Sequence, residues 1–376
     1  MEGIAATTAT LDVRSPAGWR DELAATVRLA APLVGANLLQ MAVYAIDVVF
    51  VARLSTVEFA AATMGVFLFS LIMWGLMGMT TACAPLIAAE LGRHRHAVRE
   101  VRRSFRMAMW LAVIAAVPFV VLLFFGESVL LAFRQDAQVA ARAGDFLRIL
   151  WLALLPSLFA SVMRTVAAAL GRPGWAMGVT AMAVGIGALA NWLLVFGHAG
   201  FPALGLEGSA IASVIVSVLM MAAYALILLI DPRLRRFRLF GRWWRPEWAR
   251  LGQIAKLGVP IALTFTLEGG LFAGAAVLMG LIGVTEVAAH AIALNIAAIA
   301  FQVPLGIAQA ATIRVGMAYG ARDAAWAALA GRVAITGGVA FMTLTATLMW
   351  LVPRLLVGML QEIVDGTGAK VHRQFS

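Results

Sequence analysis

The sequence predicts an all-α polytopic membrane protein, a two-lobe bundle of six-helix parallel repeats whose second lobe is incomplete, with about nine of twelve helices. Three observations predict it. Of 376 residues, 62% are hydrophobic and only 13% are charged, a balance that excludes a soluble globular domain. The apolar residues gather into long runs that match the ~20 residues a helix needs to cross a bilayer. Sliding the chain along itself by 228 residues lays the first of these runs onto later ones.

Taken in order, the helices are expected near residues 29–53, 59–89, 105–126, 145–170, 174–198, 207–231, 252–282, 287–318 and 325–353. In lipid a backbone must satisfy its own N–H and C=O groups, so each run reads as helix. The second, seventh and eighth runs are long enough to tilt or to extend past the hydrocarbon. Residues 1–28 are polar, lack a leader pattern, and read as a cytoplasmic N-terminal segment. The first lobe is assigned to 29–231, a basic cytoplasmic linker to 232–251, and a partial second lobe to 252–353. The tail, 354–376, loses apolar character and reads as non-native.

Charge sets the orientation. The formal net charge is +10, yet the basic residues lie in the gaps between apolar runs, which points to a membrane surface and not to nucleic acid. One set of connections holds 22 of the 29 Lys and Arg, among them Arg20, Arg28, Arg93, Arg103, Arg106, Arg172, Arg250 and Arg314. By the positive-inside rule that face is cytoplasmic, as is the N-terminus. The segment DPRLRRFRLFGRWWRPEWAR interleaves basic and aromatic residues, as an interfacial linker among lipid headgroups would. The single cysteine, Cys83, allows no intrachain disulfide.

The shift of 228 aligns residues 27–92 with 255–320 without a gap: Leu29 meets Leu257, Pro32 meets Pro260, Gly78 meets Gly306 and Gly92 meets Gly320. Six helices separate the copies, so both enter the membrane in the same direction. Residue 376 then corresponds to position 148, the start of the fourth helix, and the expectation is a truncated or frame-shifted end lacking three helices.

An acidic group at bilayer depth costs about 2.5–3.5 kcal/mol or more, so Asp47 and Glu268 stand out. Asn37, Gln40, Tyr44 and Asp47 share one face of the first helix, a polar stripe that must line an interface or a watered cavity. The shift places Gln40 on Glu268, while Asp47 lies about 10 Å further out at 1.5 Å per residue. Asn295, Gln302 and Gln309 form a second stripe on the eighth helix. These six non-acidic residues, Asn37, Gln40, Tyr44, Asn295, Gln302 and Gln309, are the candidate substrate-cavity set; Asp47 and Glu268 are candidates for cation coupling. No HExxH, GxSxG or P-loop occurs, so no enzyme activity, cofactor or resident metal is expected and transport must draw on an ion gradient.

Three stretches carry a resemblance: RLAAPLVGANLLQMAVYAIDVVFVARLSTVEFAAATMG, ANWLLVFGHAGFPALGLEGSAIAS and TLEGGLFAGAAVLMGLIGVTEVAAHAIALNIAAIAFQVPLGIAQAATIRVG. They are similar to multidrug and toxic compound extrusion (MATE) transporters of the NorM-like type, over residues 20 to about 355. The resemblance implies twelve helices in two pseudo-symmetric lobes around a central cavity, exporting cationic amphipathic drugs against H⁺ or Na⁺. It further implies a monomer in a bacterial-type inner membrane, with lipid and small cationic drugs as partners and no nucleic acid. Asp47 matches the first-helix acid of cation coupling and is where Na⁺ would bind. Asn191 matches a fifth-helix polar position beside it, and Glu268 matches a seventh-helix acid. Two departures stand: another fifth-helix polar position is Gly187 here, and the tenth-helix acid of NorM-like members lies beyond the chain end. A lipid-linked sugar flippase of the same superfamily would call for a cationic cavity, whereas these mid-membrane charges are acidic. A non-transporting truncated product or membrane scaffold is the other alternative, motivated by the repeat deficit.

Overall fold

The computed structural model describes residues 16, 18–94, 97–133, 135–198, 200–241 and 244–351. The assigned tail, 354–376, and the first 15 residues of the N-terminal segment lie outside the described residues. Every regular element described is helical: α1 (Trp19–Val51), α2 (Thr56–Thr81), α3 (Cys83–Arg93), α4 (Val98–Phe124), α5 (Gly126–Ala132), α6 (Ala137–Leu150), α7 (Leu154–Ala169), α8 (Gly174–Phe196), α9 (Gly205–Ile230), α10 (Pro232–Arg235), α11 (Trp248–Ile282), α12 (Val284–Gly320) and α13 (Ala324–Leu351). Among the described residues nine spans are long and apolar enough to cross a membrane, with α2–α3 forming one and α6–α7, joined by a 3₁₀ turn at Trp151–Ala153, another. The chain is a multi-pass membrane protein.

Local chemistry sets the helix ends. Ser55 caps α2 through a reciprocal box: its side chain accepts from the Glu58 backbone N–H at 3.2 Å, and Glu58 accepts from the Ser55 N–H. Asp136 accepts from the N–H groups of Gln138 and Val139 to start α6. Gly197, at φ +72°, ends α8 in the left-handed conformation that a Cβ disfavours. Asp231 follows α9 and caps α10, accepting from Trp175 Nε1 at 2.9 Å and pairing with Arg172 at 3.1 Å. Burial pushes its carboxyl up, but the bonds from Trp175 and the Arg233 N–H together with Arg172 outweigh this and hold it below the usual carboxylate range.

The repeat expected from the shift of 228 is present in the packing. Gly78 of α2 lies against Ala262 of α11, and Gly306 of α12 lies against Val34 of α1; each contact is the other moved by 228. The same holds deeper toward the basic face, where Gly92 abuts the Met317 backbone and Gly320 abuts the Ala89 backbone. No side chain fits at these crossings, which is why glycine occupies both copies. The halves are thus related by a pseudo-two-fold, and their closest approaches cluster toward the basic ends of α1, α2–α3, α11 and α12.

Some boundaries differ from the expectation. The first helix was expected from residue 29, with 1–28 outside the membrane, but α1 begins at Trp19. Its added turns carry Glu22, which is fully buried and paired with Arg314 of α12, so a tertiary partner rather than apolarity extends the helix. Likewise α11 starts at Trp248, inside the expected linker, and the second span breaks at Ala82. The short α5 and α10 lack the length of a span and are not anticipated by apolar runs.

Candidate functional site

Asp47 lies one turn from the end of α1 opposite its basic end. Helices α8 and α9 bring its partners. They cross so closely that a Cβ on Gly208 would meet the Leu194 carbonyl oxygen at 2.5 Å. That approach places Asn191 of α8 and Ser213 of α9 on the same carboxylate: Asn191 Nδ2 donates to Asp47 Oδ1 at 2.7 Å, and Ser213 Oγ to Oδ2 at 3.5 Å. Asn191 Nδ2 also donates to the Gly187 carbonyl at 2.9 Å. The fifth-helix departure at Gly187 therefore contributes a backbone acceptor where a side chain was expected.

Asn191 is fully buried and its Oδ1 has no hydrogen-bond partner. A buried amide oxygen without a donor is costly, and here it lies next to a carboxylate. A donor or a cation reaching Asn191 Oδ1 would satisfy it. Toward the basic face the site is closed by an apolar layer of Val43, Ala183 and Val216. At the opposite end Phe50 of α1 meets Phe196 of α8, their ring centroids 5.7 Å apart. Behind Ser213, Ser217 donates to the Ser213 carbonyl at 2.8 Å and accepts from Ser157 Oγ at 2.9 Å, which ties α9 to α7.

The other candidates lie in different surroundings. Along the α1 stripe Asn37 is buried, with an unpartnered Nδ2, Gln40 is half-buried and Tyr44 is 50% exposed. Asn37 is thus packed in the interior, since α1 buries that turn among Leu33, Ala36 and their neighbours. Asn295 is exposed and donates to Ala291 O, and half-buried Gln302 donates to Ala298 O, each within its own helix; Gln309 is half-buried. Glu268 is exposed, has no described hydrogen bond or ion pair, and does not join the Asp47 cluster. Ser213 was not among the sequence candidates. The available signal was Ser209, Ser213 and Ser217 at intervals of four in an otherwise apolar helix.

A family model described as MatE matches residues 32–193 and again 260–365. The two matches begin 228 residues apart, the spacing that relates the glycine contacts above. The chain belongs to the MatE family. It is of the NorM-like type: it is 43% identical to a probable multidrug resistance protein NorM of Brucella suis over 347 residues, covering 92% of this chain and 74% of that one. A protein of the same description from Mesorhizobium japonicum is 42% identical over 353 residues, covering 94% and 76%. The MatE fold is also that of the eukaryotic MATE transporter AtDTX14, with a TM-score of 0.78 at 19% identity over 88% of this chain and 73% of that one. A structure described as an outward-facing multidrug resistance MATE family transporter matches with a TM-score of 0.75 at 20% identity, covering 94% and 79%.

Proposed function

We propose that this MatE protein exports cationic amphipathic compounds in exchange for H⁺ or Na⁺, with Asp47 as the coupling group. The observation that carries the proposal is the Asp47–Asn191–Ser213 cluster: one acid deep in the membrane, held by two neutral groups, next to a buried amide oxygen that lacks a donor. The names of the relatives, multidrug resistance proteins, support export of drugs, and the acid at Asp47 is the reason for reading those drugs as cationic. Without a nearby cation the carboxylate favours a positively charged guest. Loaded with a proton or Na⁺ it is neutralised, and the guest is released. Exclusive occupancy of one low-dielectric region supplies the exchange.

In this reading Tyr44 and Gln40 line the route along α1, and Asn295, Gln302 and Gln309 line the facing side from α12, with Glu268 as a second acid in the other half. The basic face and the N-terminus lie in the cytoplasm, and the protein works as a monomer in the bacterial inner membrane. Ethidium exchange in proteoliposomes under a pH or Na⁺ gradient tests this. Gradient-driven movement lost in Asp47→Asn is the expected result, and unchanged movement in that variant would defeat the proposal.

A further inference from the structure

The shift that relates the halves places Glu22 on Arg250, so the same point at the basic end of each half carries opposite charge. The two surroundings differ. Glu22 is fully buried; it accepts from Arg314 through Nε at 2.8 Å and through Nη2, and from Trp326 Nε1 at 3.2 Å. The Arg314 guanidinium lies 5.0 Å from the Trp326 ring centroid. One carboxylate thus joins α1 of the first half to α12 and α13 of the second. A desolvated pair of this kind is either intact or leaves a buried charge, with no cheap intermediate.

On the opposite side Arg250 donates to Ser104 at 2.8 and 3.1 Å and pairs with Glu90 at 3.5 Å. One turn away Glu247 pairs with Arg103 and Arg106, and Arg103 also with Glu100. Arg103, Glu100 and Glu247 are partly exposed while Arg106, Arg250 and Glu90 are largely buried, and Glu247 and Arg103 each have two ionic partners, so this side offers alternative pairings that the Glu22 side lacks. The chain itself crosses between the halves here, and Arg102 Nε donates to the Phe237 carbonyl of the linker at 3.1 Å.

We infer that the halves part by pivoting about the linker side, with the α4–α11 ion network as the hinge and the Glu22–Arg314–Trp326 cluster as the gate of the basic face. The gate serves the transport cycle proposed above and rests on that reading for its purpose, while its geometry is tested without substrate.

Thr26 and Ile254 are related by the same shift, lie about one turn inside Glu22 and Arg250, and are buried. In a Cys83→Ala background, Thr26→Cys reports on the gate side and Ile254→Cys on the hinge side through maleimide labelling in vesicles. Glu22→Gln is expected to raise labelling at Thr26→Cys by about tenfold or more and at Ile254→Cys by less than about twofold, while Arg250→Gln leaves both within about twofold. An equal rise at both reporters with Glu22→Gln, or a larger rise at Ile254→Cys with Arg250→Gln, would overturn the assignment. Should Glu22→Gln not fold, Trp326→Phe removes one donor and is expected to give a smaller rise with the same bias; its absence would also overturn the gate. Gate-biased labelling without ethidium exchange would leave the gate standing and the export reading fallen. Exchange accompanied by equal labelling would do the reverse.

Discussion

Within their membrane spans the two halves carry their acids differently. Asp47 of the first half is met by Asn191 and Ser213 from that half's fifth and sixth spans, whereas the residue at the corresponding position of the second half is Ala275. The second acid, Glu268, lies seven residues earlier and is exposed, and the second half is described only through its first three spans. The two acids therefore differ in depth as well as in surroundings. Asp47 is a defined site because α8 and α9, the fifth and sixth spans of its half, close on it.

The largest test of the asymmetry lies at the basic face. Glu22→Ala removes the fully buried carboxylate that holds Arg314 and Trp326 and is expected to cost about 3–5 kcal/mol, whereas Arg250→Ala, at a longer and less completely buried pair, is expected to cost about 1–3 kcal/mol. Thermal unfolding of the two purified variants in detergent checks the ratio; similar losses would mean that the two sides are alike. Next is Asn191→Leu, which strips a bond from the Asp47 carboxylate at a cost of about 1.5–3 kcal/mol, against a near-neutral Asn295→Leu, whose amide serves only its own helix. Gly208→Leu sharpens the comparison by geometry alone. Forcing α8 from α9 is expected to cost about 1–3 kcal/mol and to reduce ethidium exchange with Asp47 intact, whereas Gly274→Ala, where a Cβ meets open space, leaves exchange unchanged.

The smallest effect is one of pH. The Asp231 carboxyl is held below its ordinary value of about 4, so its contribution to stability is complete above that value and is lost as pH falls through the lower folded value. Unfolding midpoints between pH 6 and 3 should therefore fall less in Asp231→Asn than in the parent; parallel curves would remove Asp231 from the account.

The spans were legible because a bilayer imposes length and apolarity on every crossing, and the repeat because glycine must stand wherever backbones touch, as at Gly92 and Gly320. Asp47 was legible as a charge among apolar neighbours. Its partner Asn191 came through family resemblance, since one amide in an apolar helix has no periodic signature. Ser213 went unseen because a small hydroxyl barely alters the hydropathy of its helix. Glu22 lay within an N-terminal segment read as extramembrane; its meaning depends on Arg314, 292 residues away, and no local pattern joins two such positions.

The bond from Trp326 to Glu22 spans 304 residues of chain. At synthesis rates of about 5–20 residues per second, roughly 15–60 seconds separate the emergence of the two from the ribosome. During that interval Glu22 has neither Arg314 nor Trp326 to bond it, so its burial must wait for them. The Glu22 cluster can therefore form only after α12 and α13 have been made, so the basic ends of α1, α12 and α13 join after the first six spans have been synthesised. A cell that slowed translation between α9 and α12 would lengthen the life of an inserted, unsealed intermediate.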